Sequence, residues 1–330
     1  MSLLNLVIIR DIILVELNEP ILKGEEMNKN IIYMLIAIVI LVLLLVFWPG
    51  QAALGTEENP IQWGLVPSGE SERVLAGFGE VAEMIYDETG LVIETFVATE
   101  YAGVIEAMCS NPPKAHMSSL ATFSYILASD QGCADVGLVS TRYGSATYSG
   151  QIFVRADSGI TSIADIAGKT WCRASALSTS SWVIPTIVMK GYGIDPDTDL
   201  AGTVDTSSHE AAVAGVYNGQ CDIGASYIDA RTRVADKVEG AYDDIMEAIV
   251  VLEIFEGIPN DGVQFIPDMD PEIRQQIIDA LLVIAATEEG AEALNTAYNW
   301  NAVEEHDDTF YDQFRQFLDA SGVTASDYTD

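Results

Sequence analysis

Beyond residue 55 the chain alternates short β-type apolar runs with longer stretches in which apolar positions recur every three or four residues. Ile61–Val66 is a strand that closes at Pro67-Ser68. From Ser71 to Thr89 the apolar positions Val74, Leu75, Phe78, Val81, Ala82 and Ile85 keep helical spacing until Gly90. Leu91–Val97 is β-rich, Tyr101–Cys109 is a helix ended by Asn111-Pro112-Pro113, and Ala115–Ser118 is a short strand. The same reading gives a helix over Thr122–Ser129, strands at Ala134–Ser140 and Gln151–Arg155, and a helix at Ile163–Ala167 stopped by Gly168. A strand at Lys169–Arg173, helices at Ser181–Lys190 and Glu210–Asn218, and a strand at Cys221–Ala225 follow. Asp270-Pro271 opens an amphipathic helix from Glu272 to about Thr287, and two further helices fill the C-terminal part. Strands alternating with helices predict an α/β fold of parallel sheets covered on both faces. The chain shows no internal repeat and no low-complexity tract.

One segment breaks this pattern. Ile31 to Trp48 is an uninterrupted run of 18 apolar residues, long enough as a helix to cross most of a bilayer core. Lys29 precedes it and Gly50-Gln51-Ala52-Ala53 follows, the order of a secretory signal, while its length suits an uncleaved anchor. Either way the remainder is expected outside the cytoplasm. No cysteine stands just after the run, which argues against a lipoprotein anchor. Met27 starts a conventional signal, so residues 1–26 read as either an upstream extension or a misplaced start, and residues 1–55 as a delivery segment.

Charge narrows the partners. Fifteen Lys and Arg against 50 Asp and Glu leave a formal charge of −35. A nucleic-acid partner needs a basic face that this composition does not provide. The acidity itself is that of a solvated, self-repelling surface. With 49% hydrophobic residues the chain has ample material for packed cores. Cys109, Cys133, Cys172 and Cys221 stand in no metal-ligand spacing. Outside the cytoplasm they can pair in three ways, or remain four buried thiols. There is no G-x-S-x-G or H-E-x-x-H motif, and the only histidines are His116, His209 and His306. No enzyme and no cofactor is therefore expected.

Five segments in combination carry a family resemblance: Trp63-Gly64-Leu65-Val66-Pro67-Ser68, Ala98 to Met108, Val154 to Ile160, Leu177-Ser178-Thr179-Ser180, and Ser208 to Val213 with Tyr217-Asn218-Gly219-Gln220. Over roughly residues 60–285 the chain resembles the substrate-binding proteins of phosphate, phosphite and phosphonate ABC transporters. The resemblance implies a two-lobed periplasmic-binding-protein fold of type II, each lobe a mostly parallel sheet flanked by helices. Residues 58–148 plus 252–330 would form lobe one and 149–251 lobe two, with crossovers near Gln151–Arg155 and Ile249–Phe255. Pairing Cys109 with Cys133 and Cys172 with Cys221 keeps each bridge inside one lobe. The implied function is an extracytoplasmic, monomeric receptor that closes on a small oxyanion and docks on a membrane permease. A sulfonate, taurine or carboxylate ligand on the same fold, and an anchored sensory domain, are the competing readings.

An acidic protein can hold a dianion only with converging hydrogen-bond donors, and helix N-termini supply them. Ser178, Thr179 and Ser180 precede the helix that contains Trp182. Ser207 and Glu210 read as a capping box that puts His209 in a first helical turn. Tyr101 and Thr122 open two further helices, and the resemblance implies a tyrosine contact at Tyr101. Tyr125 and Tyr148 are weaker candidates, equally suited to core packing. In related aminoalkylphosphonate binders acidic groups meet the ligand amine, a role open to Asp229. Two departures from the family put the ligand's organic group in question: Ala121-Thr122 stands where Gly-Pro is usual, and Ser181-Trp182 where Gly and an aromatic are usual.

Overall fold

In a computed structural model, residues 52–235 and 242–324 are described. The apolar run 31–48 lies outside them, with the readings attached to it. Among the described residues no helix is long and apolar enough to cross a membrane. The chain enters through strand β1 (Ile61–Leu65), helix α1 (Ser71–Thr89), β2 (Ile93–Val97), α2 (Tyr101–Cys109), β3 (Met117–Ser119), α3 (Thr122–Asp130) and β4 (Asp135–Thr141). It then crosses on β5 (Thr147–Arg155) to β6 (Thr170–Arg173), a π-helical turn at Thr179–Val183, α4 (Ile184–Gly191), α5 (Pro196–Asp199), β7 (Gly202–Asp205), α6 (His209–Tyr217), β8 (Ile223–Tyr227), α7 (Ala230–Ala235) and α8 (Ile245–Ala248). It returns on β9 (Ile249–Pro259) to β10 (Gly262–Phe265), α9 (Pro271–Ala285), α10 (Glu288–Tyr298), β11 (Ala302–Glu305) and α11 (Asp312–Ala320).

The first sheet has the order β11-β4-β10-β3-β1-β2 and the second β7-β6-β8-β5-β9. Both follow one plan. The first parallel strand has the second on one side and the third on the other. The strand that arrives after a crossover, β10 or β5, is then inserted antiparallel between the third strand and the next. β11 adds an antiparallel edge. The sheets are therefore mixed, and less parallel than the strand–helix alternation implies. The reversed strands are the ones the chain lays down as it passes between lobes. β9 pairs with β5 as far as Pro259, so the return to the first sheet is completed only at Gly262.

Packing explains the element choices. α1 buries Val74, Phe78, Val81 and Ile85 on one stripe, against an aromatic cluster of Trp63, Phe78, Tyr298 and Trp300. Gly77 lets α10 press onto this helix, since a Cβ there would come within 2.5 Å of the Ala293 carbonyl oxygen. In the second lobe one face of the sheet packs Ile152, Val154, Trp171 and Ile223, the other Phe153, Val213, Val216 and Ile249. The disulfides are Cys109–Cys133 and Cys172–Cys221, one in each lobe.

Candidate functional site

In both lobes the chain turns into a helix or loop just after a parallel strand, and these turns face one another. They enclose a cavity of about 40 Å³ lined by Ser68, Gly69, Arg73, Tyr101 and Thr122 with Arg142, Tyr148 and Asp261 from the first lobe's segments, and by Ser178, Thr179, Ser180, His209 and Tyr227 from the second. Such a volume holds about three water molecules at ~10–15 Å³ each, the scale of one small tetrahedral anion.

The second-lobe wall is built around Ser181. Its hydroxyl donates to the Ala225 carbonyl at 2.8 Å and accepts from the Ala174 N–H at 2.8 Å, while its own carbonyl accepts from the Trp171 indole. This pins the turn that carries Ser178, Thr179 and Ser180, all almost fully buried. Ser178 is the N-cap, its Oγ accepting from the Ser181 N–H. The Thr179 and Ser180 N–H groups at the start of this turn have no acceptor upstream in the helix, so hydroxyls and amides converge on the cavity.

His209 opens α6, but the cap is Ser208, whose Oγ accepts from the Ala211 N–H at 3.1 Å. The expected Ser207–Glu210 capping box does not form. Ser207 sits in the left-handed region at φ 66°, and the Glu210 carboxylate instead pairs with Arg73 of the first lobe at 2.6 Å. The His209 ring stands edge-on to Tyr227 at 5.0 Å, its Nε2 lies 3.4 Å from Ser178 Oγ, and its buried Nδ1 has no partner. Burial, reinforced by the nearby positive Arg142, lowers the imidazole pKa to about 3. It is neutral at physiological pH.

From the first lobe, Tyr101 stands at the first position of α2 with its buried hydroxyl facing Ser178 without closing a hydrogen bond on it. Burial raises this phenol well above its ordinary pKa, keeping it a donor. Tyr148 is half-buried. Desolvation pushes its pKa up to about 12, with Ser180 close enough to oppose the shift. Thr122 lines the cavity, but its hydroxyl donates to the Pro259 carbonyl at 2.6 Å, so its proton is already committed.

Two expected site residues lie elsewhere. Tyr125 is a core residue, with its hydroxyl on Asp308 at 2.5 Å and its ring tilted on Tyr311 at 4.7 Å. Asp229 borders an adjoining cavity shared with Arg142, Tyr148, Tyr227 and Asn299, not the small one. No local pattern marks Arg142, Asp261, Arg73, Tyr227 or Ser68 as a ligand contact. The scarcity of cations was the one signal available, since two of only 15 line this cavity.

The lobes touch directly around the site. The Thr179 Oγ1 accepts from the Phe123 N–H at 3.0 Å, the His209 N–H donates to the Ser68 carbonyl at 3.1 Å, and Arg233 donates to the Asn295 carbonyl at 2.7 Å. Leu177, Val183 and Ile184 join the first lobe's apolar core. Chemically the site offers hydroxyl, amide and imidazole donors plus the guanidinium groups of Arg73 and Arg142. The Ser178–His209 pair lacks the third group of an acyl-transfer triad, because among the described residues nothing holds Nδ1. A nitrogen that protonates only near pH 3 is a poor general base.

The chain is similar to known proteins in sequence and in fold. The family described as ABC transporter, phosphonate, periplasmic substrate-binding protein matches residues 63–311. The phosphate-import protein PhnD of Mycolicibacterium smegmatis is 25% identical over 172 residues, 49% of this chain and 53% of that protein, so the match spans about half of the relative. The phosphonates-binding periplasmic protein of Escherichia coli is 21% identical over 238 residues, 71% of this chain and 68% of that protein. A binding protein component of an ABC phosphonate transporter from Pseudomonas aeruginosa superposes with TM-score 0.71 at 20% identity, covering 80% of this chain and 87% of that one. A Prochlorococcus marinus protein solved with methylphosphonate superposes at 0.68 and 12% identity, covering 80% and 98%. By the extent of the family match, the chain belongs to the periplasmic substrate-binding proteins of phosphonate ABC transporters.

Proposed function

We propose that this chain is an extracytoplasmic receptor that closes two lobes, residues 58–148 with 252–330 and residues 149–251, on a small phosphonate, phosphite or phosphate anion and delivers it to a membrane permease. No bond is made or broken. The observation that carries the reading is the convergence of Ser178, Thr179, Ser180, His209 and Tyr101 on one small inter-lobe cavity. Three of these are hydroxyl donors at the start of a helical turn, where free amides and the helix dipole favour negative charge. The unpartnered Tyr101 hydroxyl and His209 Nδ1 are buried polar atoms that a bound oxyanion would satisfy.

Closure follows from the same residues. An anion bridging the Ser178 turn and Tyr101 touches both lobes, so it binds the closed arrangement better than an open one and shifts the population toward it. The inter-lobe Arg73–Glu210 pair and the Thr179–Phe123 hydrogen bond join the lobes in this structure, and separating the lobes would break both. Calorimetric titration of the purified full chain with methylphosphonate, phosphite and phosphate tests the proposal. Saturable binding of at least one of them below millimolar concentration is expected. Silence from all three would refute it.

A further inference from the structure

Asp261 is the only carboxylate that lines the small cavity among the described residues, and its lone pairs are largely taken by the protein. Oδ1 accepts from Arg142 Nη2 at 2.6 Å and from Ser140 Oγ at 3.4 Å, and Oδ2 accepts from the Trp300 indole at 3.2 Å. The loop that carries it is fixed by Asn260, whose amide donates to the Ser140 and Ser145 carbonyls. Arg142 lies over the Tyr148 ring at 5.2 Å, and its buried Nε–H has no partner. Arg142 borders the adjoining cavity too, the one that holds Asp229.

Resting on the receptor reading above, we infer that Arg142 sets the ligand's substituent: paired with Asp261, it admits an oxyanion bearing a small uncharged group and excludes one bearing an ammonium arm. Three arguments converge. An oxyanion beside a free carboxylate would be repelled, and the ion pair removes that repulsion while leaving an N–H edge toward the anion. An ammonium group buried here needs a carboxylate of its own, and Asp261 is engaged. To reach Asp229 instead, the arm would have to pass the guanidinium that borders both cavities, like charge against like. The 40 Å³ volume points the same way, because it leaves little room beyond the oxyanion itself.

The test is a paired titration of the full chain at pH 7 with methylphosphonate and 2-aminoethylphosphonate. The wild-type protein should prefer methylphosphonate by roughly 30-fold or more, the scale of a buried charge left without its partner. Arg142→Met frees Asp261 and should shrink or invert that ratio, whereas Arg142→Lys, which keeps a point charge, should preserve its direction. Melting temperatures of both variants identify a folding failure, and the wild-type ratio stands as a test in either case. Equal or tighter binding of 2-aminoethylphosphonate by the wild-type chain would overturn the inference and leave the receptor reading intact. So would an unchanged ratio in a folded Arg142→Met. Silence from both ligands in the wild type would overturn the inference, and it would overturn the receptor reading as well only if phosphite and phosphate are also silent.

Discussion

Removing the imidazole of His209 tests the wall of donors at its most exposed assumption, that a neutral, buried histidine contributes to anion binding. In the structure Nδ1 is buried without a partner and Nε2 lies 3.4 Å from Ser178 Oγ. One ring nitrogen therefore remains for the ligand. A hydrogen bond to a charged group is worth about 1.5–3 kcal/mol, so His209→Ala should weaken methylphosphonate binding by roughly 10- to 160-fold. Titration calorimetry on both proteins at the same pH reads this directly. A second consequence separates a binding role from mere packing. The folded-state pKa of about 3 lies below the ordinary histidine value of 6.5, so between these values the unfolded chain binds a proton that the folded chain does not. Stability from this group is therefore fully present above pH 6.5 and declines as pH falls toward 3, by up to about 1.4 kcal/mol per pH unit. Urea unfolding at pH 7, 6 and 5 should show a steeper acid loss in the wild type than in His209→Ala. Affinity unchanged in the variant would remove His209 from the site, and equal acid slopes would contradict its buried, neutral state.

Arg73→Gln removes the cross-lobe partner of Glu210, and stopped-flow fluorescence should show ligand release about tenfold faster, a modest figure because Arg73 is partly exposed. An unchanged release rate would mean the pair does not hold the lobes together. The disulfides close chain separations of 24 and 49 residues, so replacing Cys109 and Cys133 with Ser should cost roughly 3.5 kcal/mol and replacing Cys172 and Cys221 roughly 4 kcal/mol in denaturant unfolding. Losses under 1 kcal/mol would remove the bridges as major stabilising elements. With a formal charge of −35, the association rate for a dianion should rise with added salt as repulsion is screened. A falling rate would point to a positive approach field that the composition does not contain.

What the sequence revealed, and what it did not, follows from how far apart the interacting residues lie. Helical periodicity located α1 because Val74, Phe78, Val81 and Ile85 need only each other and one neighbour to define a face. No local pattern marks β10 and β11. Gly262–Phe265 is four residues long just after Asn260-Asp261, and Ala302–Glu305 is an acidic edge strand with one buried side chain. Both are strands because of the partners they meet, not because of local pattern. The reversed direction of β5, itself legible as a strand over Gln151–Arg155, and of β10 is invisible for the same reason. In the site, the Ser178–Ser180 turn and His209 are local signals at helix starts. Arg142 and Asp261 are 119 residues apart and acquire meaning only together. Of the two readings open for Tyr125 the core one holds, because its hydroxyl finds Asp308, 183 residues away. The cap moved from Ser207 to Ser208 because Glu210 had a better partner in Arg73 than its own helix end.

The most direct measurement is a crystal structure of the chain grown with methylphosphonate. The oxyanion should lie between the lobes, accepting hydrogen bonds from the Ser178–Ser180 turn, Tyr101 and His209, with Asp261 still paired to Arg142. Density for the ligand outside this cavity, or a ligand held by one lobe alone with the two apart, would contradict the account.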